Sequence, residues 1–363
     1  MVDVDIGGIK PLATSLRSLR YNLLAWYQEG AAPWPWRQNW AKHKDPYHVW
    51  LSEIMLQQTV INAALPKYQS FLELFPSVED LALATENDVK LACSGLGYYR
   101  RFGLMHKAAK LLVATGSPIQ WPTCYDEWLE LPGIGPYTAA AVSSIVLGSP
   151  HAVVDGNVER VLCRLLDIRL PVNMPKLKPI YQDRADALLV REAPGDFNQA
   201  VMELGQTVCK VGEPLCGECP LADGCLSKKA KSQHLAPGPK IKKSSVGVKM
   251  RLVIPTNGRQ LGLMKRPHKA KFLKDTLGFP TFIRQGRFFR GDGFDVDLDW
   301  KHGEKLGTFK HGITNHKIEA EVWGMPLSHL QGLLEFQKVG KKVGKSRLIS
   351  SLDSKGLDIG LKH

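Results

Sequence analysis

The sequence predicts an all-helical region followed by a mixed α/β domain, and three observations carry that expectation. Apolar residues recur at three- and four-residue spacing from Leu16 to about Cys225, the period of helices that bury one face. Between Ser227 and Val246 the chain turns to Lys, Ser, Pro and Gly, the composition of a solvated linker. Beyond it, short alternating stretches at 249–255, 260–265 and 317–323, separated by Gly and charged turns, read as strands. The expected division is therefore a helical domain over 1–227, a basic linker over 228–245 and a mixed domain over 246–363. A chain of 363 residues is long enough for two cores.

Charge separates the same two parts. Residues 1–227 hold 20 Lys and Arg against 24 Asp and Glu, a net of −4, whereas residues 228–363 hold 28 against 11, a net of +17. The overall +13 suggests a polyanionic partner. If the acidic half touches a polyanion, it must do so with backbone amides and helix N-termini. The basic stretch from Lys338 to Lys345 reads as a frayed end or a phosphate-attracting one. The longest apolar candidate, 139–147, falls well short of the roughly 18 residues of a membrane span, so no membrane partner is expected. Asp3 and Asp5 precede any Lys, which suits neither a signal nor a transit peptide; the expected location is cytoplasmic.

Asp45-Pro46 has the form of an N-cap with Pro at the first helical position, opening a helix through Trp50, Glu53, Met55 and Gln58. On a helical wheel Glu53 shares a face with Val49, Leu56 and Val60, so an acid occupies an apolar stripe. Either the helix turns Glu53 toward water, or burial raises its pKa and leaves a carboxyl that can act as a general acid. Next, Leu131-Pro132-Gly133-Ile134-Gly135 lies between two helical patterns and reads as a helix-hairpin-helix, whose turn can hold a phosphate without Lys or Arg. Downstream, Asp155 precedes Gly156-Asn157-Val158 and a further helix; it reads as an N-cap, and a cap carboxylate kept ionised can also stabilise a cationic transition state. Two carboxyl groups in unlike environments are what cleavage of a sugar–heteroatom bond requires.

Cys209, Cys216, Cys219 and Cys225 are separated by six, two and five residues, a ligand pattern open to zinc or an iron–sulfur cluster. Zinc sites favour two short pairs divided by a long spacing. Here one short pair stands between two singles, which favours the cluster. Cys93, Cys124 and Cys163 read as ordinary core residues.

These motifs together resemble the MutY-type adenine DNA glycosylases. The matching runs are Pro35-Trp36-Arg37, Trp50 through Thr59, Gly95-Leu96-Gly97-Tyr98-Tyr99, the hairpin, Val154 through Val158, and the cysteines, in order over about residues 20–225. The resemblance implies a helix-hairpin-helix glycosylase domain carrying one 4Fe-4S cluster on the four cysteines. It implies a monomer that acts on double-stranded DNA with an adenine mispair, excising adenine opposite 8-oxoguanine or guanine in base excision repair. Glu53 would protonate a ring nitrogen of an extruded adenine, and Asp155 would stabilise the oxocarbenium ion, supported by Tyr137 and Asn157. Trp36, Arg37 and Gln199 would line the adenine pocket, while Gln57, Gln58, Thr59, Leu96 and Tyr98 would meet DNA near the lesion, and Gly133 and Gly135 would hold a phosphate. For Gln58 and Tyr98 plain surface exposure is the alternative.

The endonuclease III-type lyases share the fold and cluster but place a Schiff-base lysine in the hairpin. Tyr137 stands there in this chain, and Tyr cannot form the imine. A bifunctional lyase and a non-catalytic cluster protein that binds damaged DNA are the competing classes. After the linker, Leu263 through Pro267 and Leu277 through Pro280 resemble the Nudix-like domain that reads 8-oxoguanine, without a glutamate-rich hydrolase helix. Where relatives carry Phe-Ser-His, this chain aligns Ile313-Thr314-Asn315, making Thr314 and Asn315 the lesion-reading residues; Phe309-Lys310-His311 is the rival alignment.

Overall fold

The computed structural model describes residues 16–241, 244–341, 347–348 and 350–362. Asp3 and Asp5, Lys242 and Lys243 of the linker, and Lys342 and Lys345 of the basic tail lie outside the described residues.

Among the described residues, helices run without a strand as far as Lys229: α1 (Leu16–Gly30), α2 (Pro35–His43), α3 (Pro46–Leu56), α4 (Ile61–Leu74), α5 (Val78–Leu83), α6 (Glu86–Ala92), α7 (Arg100–Val113), α8 (Tyr125–Glu130), α9 (Pro136–Leu147), α10 (Gly156–Leu165), α11 (Lys178–Leu188), α12 (Pro194–Thr207) and α13 (Leu226–Lys229). Local chemistry sets many of their starts. Asp45 accepts the Tyr47 N–H and Pro46 opens α3; Thr85 caps α6; Asp155 caps α10. The chain divides into two compact units, Met1–Ala82 with Leu104–Lys242, and Leu83–Gly103 with Lys243–His363. The segment Leu83–Gly103 thus belongs to the second unit although it lies within the helical region. There the buried Lys90 donates to the Asp275 carbonyl at 2.7 Å and pairs with Glu86.

In the first unit, α9 is the central helix, with every residue from Thr138 to Ser144 buried. Two glycines of α12 set close approaches: a Cβ on Gly195 would stand 2.8 Å from the Ser144 carbonyl oxygen, and one on Gly205 would stand 2.7 Å from the Asn157 Cβ. These approaches fix α12 against α9 and against the start of α10. The wheel expectation for α3 is corrected. The helix ends at Leu56, before Val60, and is buried from Tyr47 and Val49 through Met55, so it has no solvent face to which Glu53 could turn.

The solvated linker is corrected as well. Ser232 and Ala236 are buried, and the buried Arg164 donates through Nε to the carbonyls of Gln233 and Ala236. Gly238 pairs with Pro171, and Asn173 exchanges hydrogen bonds with Ile241. A buried guanidinium needs acceptors, and this segment supplies them. Among the other cysteines, Cys93 and Cys163 are buried as expected; Cys124 is exposed, ahead of α8.

The second unit is a mixed α/β domain built on β1 (Val246–Thr256), β2 (Gln260–Lys265), β3 (Leu277–Gly278), β4 (Thr281–Gln285), β5 (Phe288–Gly291), β6 (Glu304–Ile313), β7 (His316–Pro326) and β8 (Gln337–Gly340), with α14 (Leu327–Leu330) and α15 (Ser351–Gly360). Strand pairing is antiparallel except for β1 with β7, which run parallel over eleven residues. Alternate residues of β1 and β7, among them Met250, Leu252, Ile318 and Val322, form a core with Leu352 and Leu357 of α15. Arg266 and Asp353 are both buried and paired, and they bond to the backbone of Phe279 as well. None of the described helices is long and apolar enough to cross a membrane.

Candidate active site

One cavity of about 470 Å³ in the first unit gathers residues from six helices. Its lining includes Trp36 and Arg37 from α2, Glu53 from α3, Tyr137 from α9, Asp155 and Asn157 at the start of α10, and Gln199 and Glu203 from α12.

Glu53 is 6% exposed, and burial pushes its pKa up to about 7. The Tyr137 hydroxyl, donating to Oε2 at 2.8 Å, pulls the other way; the charge of Asp155 adds to the rise and that of Arg37 opposes it. Tyr137 is itself held well above its ordinary value by burial and by the adjacent acid, so it remains a donor. Its hydroxyl also lies 3.3 Å from the Met202 sulfur. The partner of the Glu53 carboxyl is thus a neutral phenol that orients it.

Asp155 receives three hydrogen bonds: from the backbone of Asn157 at 2.9 Å and of Val158 at 2.8 Å on Oδ1, and from Asn157 Nδ2 at 2.9 Å on Oδ2. Every one favours the charged form. Burial is nevertheless the largest influence and leaves the pKa above the ordinary carboxylate value, a departure from the fully ionised cap that the helix start suggested. The two carboxyls thus differ in kind. One sits in an apolar helix with a phenol for company, and the other sits among N–H donors at a helix N-terminus.

Around them is a second set of residues that the motif reading missed. Arg37 donates to Gln199 Oε1 at 3.0 Å and to Glu203 Oε2 at 2.5 Å, while Glu203 Oε1 takes the Ala32 N–H. Arg160 joins the Asn157 side chain at 2.9 Å to the carbonyls of Gly205 and Cys209. Both had a signal in spacing. Glu203 lies four residues after Gln199 on α12, and Arg160 three after Asn157 on α10, so each shares a helix face with a residue already singled out.

Thr59 lines the cavity, Gln57 donates to Thr138 at 3.1 Å, and Gln58 is exposed with φ 55°. Tyr98, of the second unit, is 53% exposed with φ 46°, whereas Leu96 is buried, so Leu96 supports its loop and does not present a side chain to a ligand. Gly133 has φ 84°, and Gly135 precedes α9 as its N-cap with open space where a Cβ would lie. Thr314 and Asn315 form the two-residue turn between β6 and β7, Thr314 being exposed with φ 53°. Phe309 and His311 instead sit within β6, where Phe309 packs on the core. The four cysteines line a small cavity with Arg164, which donates to Cys209 Sγ at 3.5 Å.

Comparisons with known proteins agree with this geometry. Residues 51–170 match the HhH-GPD superfamily of base excision DNA repair proteins. An adenine DNA glycosylase from Buchnera aphidicola subsp. Schizaphis graminum is 30% identical over 88% of this chain and 90% of its own. The human adenine DNA glycosylase is 37% identical over 60% of this chain, which spans 40% of the human protein's length. A thermostable thymine-DNA glycosylase shares the fold of the helical part, with a TM-score of 0.51 and 22% identity over 59% of this chain and 97% of that one. With a site of two unlike carboxyls, and a relative matched along nearly its whole length, the chain belongs to the adenine DNA glycosylases of the HhH-GPD base excision DNA repair superfamily.

Proposed function

We propose that this protein removes adenine paired with 8-oxoguanine or guanine from duplex DNA by hydrolysis, without cutting the strand. The observation that carries the proposal is Glu53: a buried carboxyl whose pKa lies at about 7, aimed by Tyr137 into a cavity shared with Asp155. At neutral pH such a group holds a proton for a large fraction of the time and can give it to a ring nitrogen of an extruded adenine. As the bond to the sugar breaks, positive charge develops on the sugar ring. Asp155, held by the Asn157 and Val158 amides, opposes that charge, and water completes the exchange at the sugar carbon. Arg37 and Gln199, joined by a hydrogen bond, would meet the base edge, with Trp36 stacked on Trp34 as an apolar wall.

Supporting a hydrolase over a lyase is the cavity's amine content. Tyr137 occupies the hairpin position, and the one lysine among the lining residues, Lys210, is exposed. Cys209, Cys216, Cys219 and Cys225 would hold a 4Fe-4S cluster. They line one cavity, and their spacing, one short pair between two singles, is what favours the cluster over zinc. When bound, the cluster would supply iron–thiolate bonds that tie down the segment after α12. The second unit, which we read as Nudix-like, would face 8-oxoguanine through the Thr314-Asn315 turn, and the protein would act as a monomer in the cytoplasm on the nucleoid.

The test is incubation with duplexes carrying adenine opposite 8-oxoguanine, followed by strand analysis with and without alkali. Breakage only after alkali is the expected outcome. Breakage without alkali would identify a lyase, and intact adenine would refute the activity.

A further inference from the structure

One face of the sheet in the second unit carries charge that neither its core nor its hairpin turn uses. The register sets Lys310 of β6 opposite Glu319 of β7, and Glu319 opposite Lys249 of β1. Because Met250 pairs with Ile283, the next position sets Lys249 against Arg284 of β4, whose own partner on β5 is Phe289. Directly opposed residues of paired strands share a face. This row therefore points away from the side that Met250, Leu252 and Ile318 bury under α15. With Arg287 it lines an open cavity of about 660 Å³.

Not every charge there is available. The Arg251 guanidinium lies 4.1, 4.3 and 4.5 Å from the ring centroids of Phe289, Trp300 and Trp323. It also bonds Glu321, which takes Lys305 as well. Arg251 and Glu321 are thus committed to the floor of the groove. Lys249, Arg284, Arg287 and Lys310 remain, all exposed, and among the described residues none forms an ion pair with an acid. Glu319 is the one uncommitted acid among the described residues of the lining.

We propose that this groove binds the phosphodiester backbone of the DNA substrate a few nucleotides from the mispair. The proposal rests on the reading of Thr314-Asn315 as the lesion-facing turn. Lys310 lies four residues from Thr314 along β6, about 13 Å at the rise of a strand. That matches about four steps of one DNA strand at roughly 3.4 Å each. Three strand spacings separate Lys310 from Arg284, about 14 Å in all. Cations spread over that span suit successive phosphates of a backbone, whereas a free nucleotide would want them gathered at one point.

The experiment uses the full chain with Lys249, Arg284, Arg287 and Lys310 all changed to Gln, beside the charge-keeping pair Arg284→Lys and Arg287→Lys. Binding of an adenine:8-oxoguanine duplex is measured across salt concentrations, and excision under single-turnover conditions with enzyme in excess. For the Gln variant, the slope of log affinity against log salt should fall by about 2 to 4, at roughly 0.9 for each phosphate no longer neutralised, with affinity at low salt down at least about tenfold. Excision from bound DNA should stay within about twofold, and the Lys pair should keep the parent slope. An unchanged slope in an active Gln variant would overturn the groove while leaving the glycosylase reading intact. So would a free nucleotide or an acidic peptide that binds the parent but not the Gln variant and leaves duplex affinity unchanged. A parent protein that binds the duplex but excises nothing would instead sink the glycosylase reading.

Discussion

At the scale of single residues, the proposed chemistry turns on an acid kept where its charged form is costly. Moving the Glu53 pKa from 4.5 to about 7 corresponds to about 3 kcal/mol at roughly 1.4 kcal/mol per pH unit. The folded state holds the proton more tightly than the unfolded one, so stability falls as pH rises from about 4.5 through about 7. Glu53→Gln should therefore raise the melting temperature at pH 8, and the gain should vanish below about pH 4.5; a variant no more stable than the parent at pH 8 would contradict the buried-acid assignment. The sequence made Glu53 and Asp155 legible because each breaks or completes a local pattern, one an acid in an apolar stripe and the other a cap before Gly-Asn-Val. Glu203 and Arg160 were legible only through helix spacing from Gln199 and Asn157, since as single residues each is an ordinary charged position; the pairing of Glu203 with Arg37, 166 residues away, had no local signal.

At the scale of elements, glycines and turns decide what the site can reach. Gly133 combines φ 84° with a Cβ position 2.6 Å from the Leu104 Cβ, so Gly133→Ala meets both backbone strain and a clash. A loss of at least about 1 kcal/mol in chemical denaturation, together with weaker duplex binding, is the expected result. At the β6–β7 turn, Thr314→Ala removes one hydroxyl from an exposed position. If that hydroxyl bonds the lesion, a net hydrogen bond of roughly 0.5–1.5 kcal/mol makes the cost up to about tenfold in preference for 8-oxoguanine over guanine. Parallel measurement of His311→Ala separates the alignments, since His311 lies within a strand. Loss of preference there, with Thr314→Ala unaffected, would favour the rival. Hairpin and turn were legible because glycine pairs and short polar turns act locally. The burial of α3 on every side from Val49 to Met55 was not, since it depends on neighbours distant in sequence.

At the scale of the whole molecule, composition foresaw two folding units but not their membership. Lys90 shows why: its acceptor, the Asp275 carbonyl, comes 185 residues later, and α6 is assigned to the second unit. The stretch after α13 looked like linker because it is rich in Lys, Pro and Gly, yet its carbonyls satisfy the buried Arg164. A chain ended after Lys229 should consequently melt at a lower temperature than one ended after Ile241; equal melting would mean that this segment contributes nothing. The central claim, that Glu53 supplies the proton for base departure, is tested most directly by single-turnover excision from an adenine:8-oxoguanine duplex across pH. For the parent chain the rate should fall as pH rises through about 7. Glu53→Gln should bind the duplex normally and be slower by at least about 10²-fold, the lower range of general acid catalysis. Near-normal excision by Glu53→Gln would contradict the account.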